Sequence, residues 1–261
     1  MSFKTIRVET DKRGVATLTL NQPEKHNAMS APMISELTEA ASQLASDTTV
    51  RAVVLTGEGK SFCAGGDLGW MRQQFEADRA TRISEAMKLA TMLRDLNELP
   101  KPLIGRINGQ AYGGGIGMLS VCDVAVGIDA AKFALTETRL GLIPATISPY
   151  IVARMGEGKA RQVFMSGRRF DATEAVGLGL LAKSVSSEEL NEAIEAEIEP
   201  YLSTAPEAVA KAKALARSLG PVIDDEVMRR TASKLADCWE GAEAQEGISA
   251  FFDKRKPSWQ S

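Results

Sequence analysis

Residues 109–123 read GQAYGGGIGMLSVCD, and the three adjacent glycines at 113–115 decide how this part of the chain folds. Before them, KPLIGRI at 101–107 is a short apolar run of strand character; after them, IGMLSV at 116–121 reads as a buried helix. The expectation is a strand that turns through Gly113, Gly114 and Gly115 into a helix. Glycines at such a junction open backbone conformations closed to other residues and let a ligand approach the peptide plane. The first helical N–H groups have no acceptor within the helix, and the helix dipole favours negative charge at that end, so an oxyanion fits there. A tight crossing that needs only small residues accounts for the same letters.

A second glycine loop, SFCAGGDL at 61–68, follows residues 50–56, a nearly continuous apolar run of the kind found in strands buried on both faces. Upstream, residues 3–9 and 15–20 alternate apolar and polar around Lys12-Arg13-Gly14, a hairpin pattern. The loop NQPEKHNA at 21–28 leads to Ser30, which caps a helix over 31–45. Residues 70–99 form one long helix-prone stretch, polar at first and then amphipathic through Ile83, Met87, Ala90 and Leu93. Strand signals return at 123–128, 132–135 and 180–185, so strands alternate with helical crossovers in an α/β pattern. From about residue 205 the pattern is almost wholly helical, which sets a division near Ser203 into 1–203 and 204–261.

Within ETRLGLIP at 137–144 a single acid stands among small and apolar residues. A carboxylate desolvated there has a raised pKa and suits proton transfer. A helix-start glutamate paired with Arg139 is the other reading. Lys211, Lys213 and Arg217 put positive charge on one helix, read as a solvated face because no aromatic residues interleave with them.

The composition narrows the class. A chain of 261 residues, 44% apolar and 25% charged, suits one large domain or one domain with an appendage. Lys and Arg number 31 against 34 Asp and Glu, a net charge of -3 that gives no pull toward nucleic acid or an anionic membrane. No apolar run approaches the ~20 residues of a membrane span, and residues 1–11 carry neither signal-peptide nor transit-peptide features, so a cytoplasmic protein is expected. Cys63, Cys122 and Cys238 lie far apart and are read as packing residues rather than a disulfide framework or thiolate metal site. His26 is the only histidine, no serine sits in G-x-S-x-G, and neither GEGKS at 57–61 nor the glycines at 113–117 complete a nucleotide-binding pattern.

Taken together, NQPEKHNAM, VVLTGEGKSFCAGGDL, INGQAYGGGIG followed by CD, ETRLGLIP and the terminal FFDKRKP resemble, in order and spacing, the enoyl-CoA hydratase/isomerase (crotonase) superfamily over nearly the whole chain. The resemblance implies a spiral of ββα turns forming two sheets over 1–203, which hold the acyl-CoA site, and a helical region over 204–261 that builds homotrimers or hexamers made of two trimers. It implies that the backbone N–H groups of Gly66 and Gly114 hold the thioester oxygen and that Glu137 moves protons. Lys25, Ala28, Ala64, Asp67 and Leu68 fall in segments lining the CoA site, with Lys254 approaching its phosphates. No metal and no cofactor are implied, CoA being part of the substrate, and no membrane or nucleic-acid partner is expected.

The family's second glutamate position falls at Gly117. GDLGWM, GGGIGML and ETRLGLIPATISPYIVARMG nevertheless are similar to bacterial methylglutaconyl-CoA hydratases and related hydratases of branched acyl-CoAs, so hydration of a 2-enoyl-CoA is the leading expectation. With methylglutaconyl-CoA as substrate, its distal carboxylate would help orient water in the room left by Gly117; Arg139 could attract that carboxylate, though an ordinary surface ion pair is the preferred reading of Arg139. A 3,2-enoyl-CoA isomerase using the same single glutamate is the alternative, and a noncatalytic acyl-CoA or RNA-binding protein is the alternative of another class.

Overall fold

The computed structural model describes residues 3–260; Met1, Ser2 and Ser261, the outermost residues of the two expected segments, lie outside it. The chain opens with β1 (Ile6–Thr10) and β2 (Val15–Leu20), an antiparallel hairpin in which Ile6 faces Leu20 and Thr10 faces Ala16. Helix α1 (Ala31–Ser46) follows, with the Ser30 hydroxyl accepting from the Met33 N–H. Two spiral turns then repeat one plan. The first is β3 (Ala52–Gly57), β4 (Ser61–Cys63), α2 (Leu68–Glu76) and α3 (Arg79–Asn97), and the second is β5 (Leu103–Ile107), β6 (Gln110–Tyr112) and α4 (Gly114–Ser120). The third continues through β7 (Val124–Ile128), β8 (Lys132–Ala134), a 3₁₀ turn at Glu137–Leu140, α5 (Ser148–Met155) and α6 (Glu157–Phe164). After β9 (Phe170–Asp171), α7 (Ala172–Leu178) and β10 (Lys183–Val185), the remainder is helical: α8 (Leu190–Leu202), α9 (Pro206–Ser218), α10 (Asp225–Glu240) and α11 (Ala242–Phe252).

Each turn contributes one strand to each of two sheets. The larger has the order β1-β2-β3-β5-β7-β10 and the smaller β4-β6-β8-β9; among the described residues only β1 with β2 and β8 with β9 pair antiparallel. Period-2 alternation explains the continuous apolar runs. Val54, Ile104 and Val126 point to one face, where Leu190, Ile194 and Ile198 of α8 cover them. Val53, Leu55, Leu103, Ile107 and Ala125 point to the other, into the main core with α1 and α3.

Two sequence expectations change. The stretch over 70–99 is two helices, broken at Ala77 and restarted by Asp78, whose carboxylate accepts from the Thr81 N–H at 2.8 Å. The buried Arg82 guanidinium ties the two together by donating to the Gln74 and Phe75 carbonyls at 2.8 and 2.9 Å. The basic residues of α9 are not a uniformly solvated face either. The Lys213 side chain is only 10% exposed, its ammonium donating to Asp123 at 2.7 Å and to the Lys101 carbonyl at 3.1 Å, and Arg217 donates to the Asn97 carbonyl at 2.9 Å. They fasten α9 to the loops around β5, while Lys211 stays exposed beside Glu207. No helix among the described residues is long and apolar enough to cross a membrane.

Candidate active site

The central glycine segment folds as a strand, a turn and a helix, each glycine meeting a different demand. Gly113 has φ +48°, a conformation that side chains resist, and a Cβ there would lie 3.0 Å from Glu137 Oε1. Its N–H donates to the Ala134 carbonyl at the end of β8, which brings the α4 turn against the segment carrying Glu137. Gly115 abuts the Cys63 carbonyl, 2.5 Å from where its Cβ would stand, so the two glycine loops touch. Gly114 is the first residue of α4, and its N–H therefore has no intrahelical acceptor.

The second loop is fixed by a parallel bridge between Met29 and Gly66. Met29 N donates to the Gly65 carbonyl at 2.7 Å, and Asp67 N donates to the Met29 carbonyl at 2.9 Å. In that pattern the N–H of Gly66 itself turns away from Met29. Gly66, Gly114 and Glu137 all line one cavity of about 300 Å³. That size is at the low end for small-molecule sites.

Around the three stand mainly apolar groups from every part of the chain: Leu68, Trp70 and Met71 at the start of α2, Leu142 and Ile147 after the 3₁₀ turn, and Leu235, Trp239 and Phe251 from the last two helices. None of the lining residues carries a cation. Glu137 as a whole is half-buried, but its Oε2 is buried and has no hydrogen-bond partner among the described residues. Burial pushes its pKa up from the usual 4.5 to about 7. It does begin a short helical turn, as one sequence reading has it, but no ion pair joins it to Arg139 among the described residues; that exposed side chain lies against Gly167 instead.

Gly117 leaves no room, contrary to the sequence expectation. A Cβ there would lie 2.5 Å from Ile147 Cγ2 and 2.9 Å from Ile147 Cβ, and Ile147 is buried. The volume is filled by an isoleucine thirty positions downstream. Gly117→Glu is accordingly expected to destabilise the fold by about 1–3 kcal/mol in denaturant unfolding, with part of the loss recovered when Ile147→Ala opens the space.

The other expected site residues divide. Ala64 and Leu68 line the cavity. Lys25, Ala28, Asp67 and Lys254 do not: Asp67 caps α2 through the Trp70 N–H and lies 3.9 Å from the Lys25 ammonium, Ala28 is buried, and Lys254 stands exposed just beyond α11. Sequence reasoning missed the apolar wall from Leu235, Trp239 and Phe251. The four-residue spacing of Leu235 and Trp239 marks one helix face but not what that face covers. Among the described residues no three His, Cys, Asp or Glu side chains gather as a metal site would need.

The enoyl-CoA hydratase/isomerase family model matches residues 10–261. An enoyl-CoA hydratase of Alternaria alternata is 32% identical over 93% of this chain and 80% of its own length. Two crystal structures, of an enoyl-CoA hydratase from Shewanella pealeana and one from Mycobacterium smegmatis, are each 35% identical. The first has a TM-score of 0.81 over 98% of this chain and 96% of the other; the second has 0.80 over 99% and 100%. With the spiral of paired strands and a glutamate sharing one cavity with two glycine loops, these matches place the chain in the enoyl-CoA hydratase/isomerase, or crotonase, family of enzymes.

Proposed function

We propose that the protein hydrates the 2,3 double bond of a branched, uncharged 2-enoyl-CoA, with Glu137 moving the protons and the Gly66 and Gly114 amides holding the thioester oxygen. The observation that carries this reading is the buried Glu137 Oε2, without a hydrogen-bond partner among the described residues, in a residue that shares one cavity with Gly66 and Gly114. In the reaction, water's oxygen bonds to the β carbon while the π electrons move onto the thioester oxygen as an enolate. Glu137 takes the proton that water releases and returns it to the α carbon as the carbonyl re-forms. Oxyanion donors of this kind contribute roughly 2.7–4 kcal/mol each in other enzymes, because they meet charge that develops only in the transition state.

An uncharged acyl group is favoured because a buried carboxylate needs a paired charge, and the wall supplies none. Methylglutaconyl-CoA is therefore the expected poor substrate in a panel of branched 2-enoyl-CoAs, followed by loss of the conjugated-enoyl absorbance. Lys25, Ala28 and Asp67 outside the cavity, with Ala64 and Leu68 on its wall, are the residues along which CoA would run, with Lys254 near its phosphates. Since Glu137 must start as a base, kcat/KM is expected to rise with pH to a plateau through a single ionisation near 7, the value its burial gives it. Two catalytic carboxyls would give a bell.

The single carboxylate, with Ile147 in the place of a second, also fits a 3,2-enoyl-CoA isomerase. Product mass in ¹⁸O-water separates the two, because only hydration incorporates solvent oxygen. A noncatalytic acyl-CoA or RNA-binding role would require Glu137→Gln to leave every measured cellular role of the protein intact. For assembly we favour a trimer or a pair of trimers built through the region beyond residue 203, where Leu215, Leu219 and Val222 are exposed. Light scattering after gel filtration tests the mass.

A further inference from the structure

A lone carboxylate leaves half of the water's hydrogen-bonding unexplained. A water that attacks carbon must direct one lone pair at the β carbon while both of its hydrogens are held. Glu137 accepts one, and the position where the family carries a second carboxylate is occupied by Ile147. The loop that brings Ile147 there carries one polar side chain on the cavity wall, Thr146, which is only 4% exposed.

Thr146 and Glu137 both line this cavity, and among the described residues neither the Thr146 hydroxyl nor Glu137 Oε2 has a hydrogen-bond partner. An unpaired buried hydroxyl is destabilising, and hydroxyls at a helix start usually find a nearby carbonyl. The neighbouring Ser148 does this, donating to the Ala145 carbonyl at 2.7 Å. The backbone around Thr146 is fixed without its side chain, through Ala145 N to the Ile143 carbonyl at 2.8 Å and Ser148 N to the Ala145 carbonyl at 3.2 Å. Capping and turn formation therefore do not account for this threonine. A hydroxyl both donates and accepts, so it can receive the hydrogen of a water that Glu137 does not take.

We infer that Thr146 is the second water-holding group of the hydration site, standing in function where the missing carboxylate would stand. This rests on the hydratase reading above. One water hydrogen is accepted by Glu137 and the other by Thr146 Oγ1. The oxygen then bonds to the β carbon, the π pair moves to the thioester oxygen, and the proton taken by Glu137 passes to the α carbon. The Thr146 hydroxyl ends the cycle unchanged, hydrogen-bonded to the new 3-hydroxyl group.

Two reactions on the same enzyme separate this role from a structural one. Hydration needs the water, whereas exchange of α protons of a saturated acyl-CoA with deuterium oxide needs only Glu137 and the amide donors. Thr146→Val, nearly the same shape without the hydroxyl, is expected to lower kcat for hydration by roughly 10- to 100-fold while KM and the α-exchange rate stay within about twofold. Thr146→Ser, which keeps the hydroxyl, is expected to hydrate within about threefold of the native rate. Hydration by Thr146→Val at the native rate overturns the inference. So does an equal loss of hydration and exchange in both variants, which would mark a packing role. If the native protein exchanges α protons but hydrates no 2-enoyl-CoA, the hydratase reading itself falls and this role falls with it.

Discussion

Glu137→Gln is expected to lower kcat for hydration by ~10² to 10⁴, with KM little changed, because the amide keeps the shape of the site but cannot carry a proton between water and the α carbon. The same substitution is expected to make the protein more stable at alkaline pH. Burial raises the folded-state pKa of this carboxyl from the usual 4.5 to about 7, so between those values the native state binds more protons than the unfolded state. Stability therefore falls as pH rises through that window. Above it the native chain bears a penalty of roughly 3 kcal/mol that a neutral glutamine escapes. Below pH 4.5 the two chains should have matching denaturation midpoints, and at pH 8 the variant's should be higher. A site that loses activity and gains stability in one substitution is the mark of a group strained for function.

Gly141→Ala is expected to destabilise the protein by about 3–5 kcal/mol, combining left-handed strain with overpacking. Gly141 has φ +71°, and a Cβ there would lie 2.5 Å from the Glu243 carbonyl oxygen and 2.6 Å from the Ala244 amide. Those are backbone atoms of α11 and cannot rotate aside. The partner contact is equally close, Gly247 lying so near the Leu140 backbone that its Cβ would come within 2.6 Å. The 3₁₀ turn that starts at Glu137 is thus clamped to the helix that brings Phe251 to the cavity. Activity should fall along with the thermal midpoint, and limited proteolysis should cut first between α10 and α11.

These two positions also show what the letters could and could not convey. Glu137 was legible because an acid among Leu140, Leu142, Ile143 and Pro144 is chemically out of place, and the two glycine loops because each follows a buried strand. The hairpin, the capped first helix and the strands of the large sheet follow from period and capping alone, since those are local. Gly117 was legible as a departure but not as a filled space, because Ile147 is brought to it by tertiary folding. Lys213 was misread for the same reason. A lysine among alanines on a helix resembles a solvated face until Asp123 and the Lys101 carbonyl are folded beneath it. The break at Ala77 and Asp78 could have been found, as Asp is a favoured N-cap residue and Asp78 caps the backbone N–H three residues on. The walls supplied by Leu235, Trp239 and Phe251 could not, because helical periodicity shows that a face is apolar and not where it docks.

Hydration by this site requires two amides and one carboxyl to meet around the same thioester. A crystal structure of the protein with a branched acyl-CoA bound measures this directly. The expected result is a thioester oxygen about 2.7–3.1 Å from both the Gly66 and Gly114 nitrogens, with the Glu137 carboxyl over the α and β carbons. A thioester oxygen bonded to neither amide, or an acyl chain seated with Glu137 turned away from its reacting carbons, would contradict it.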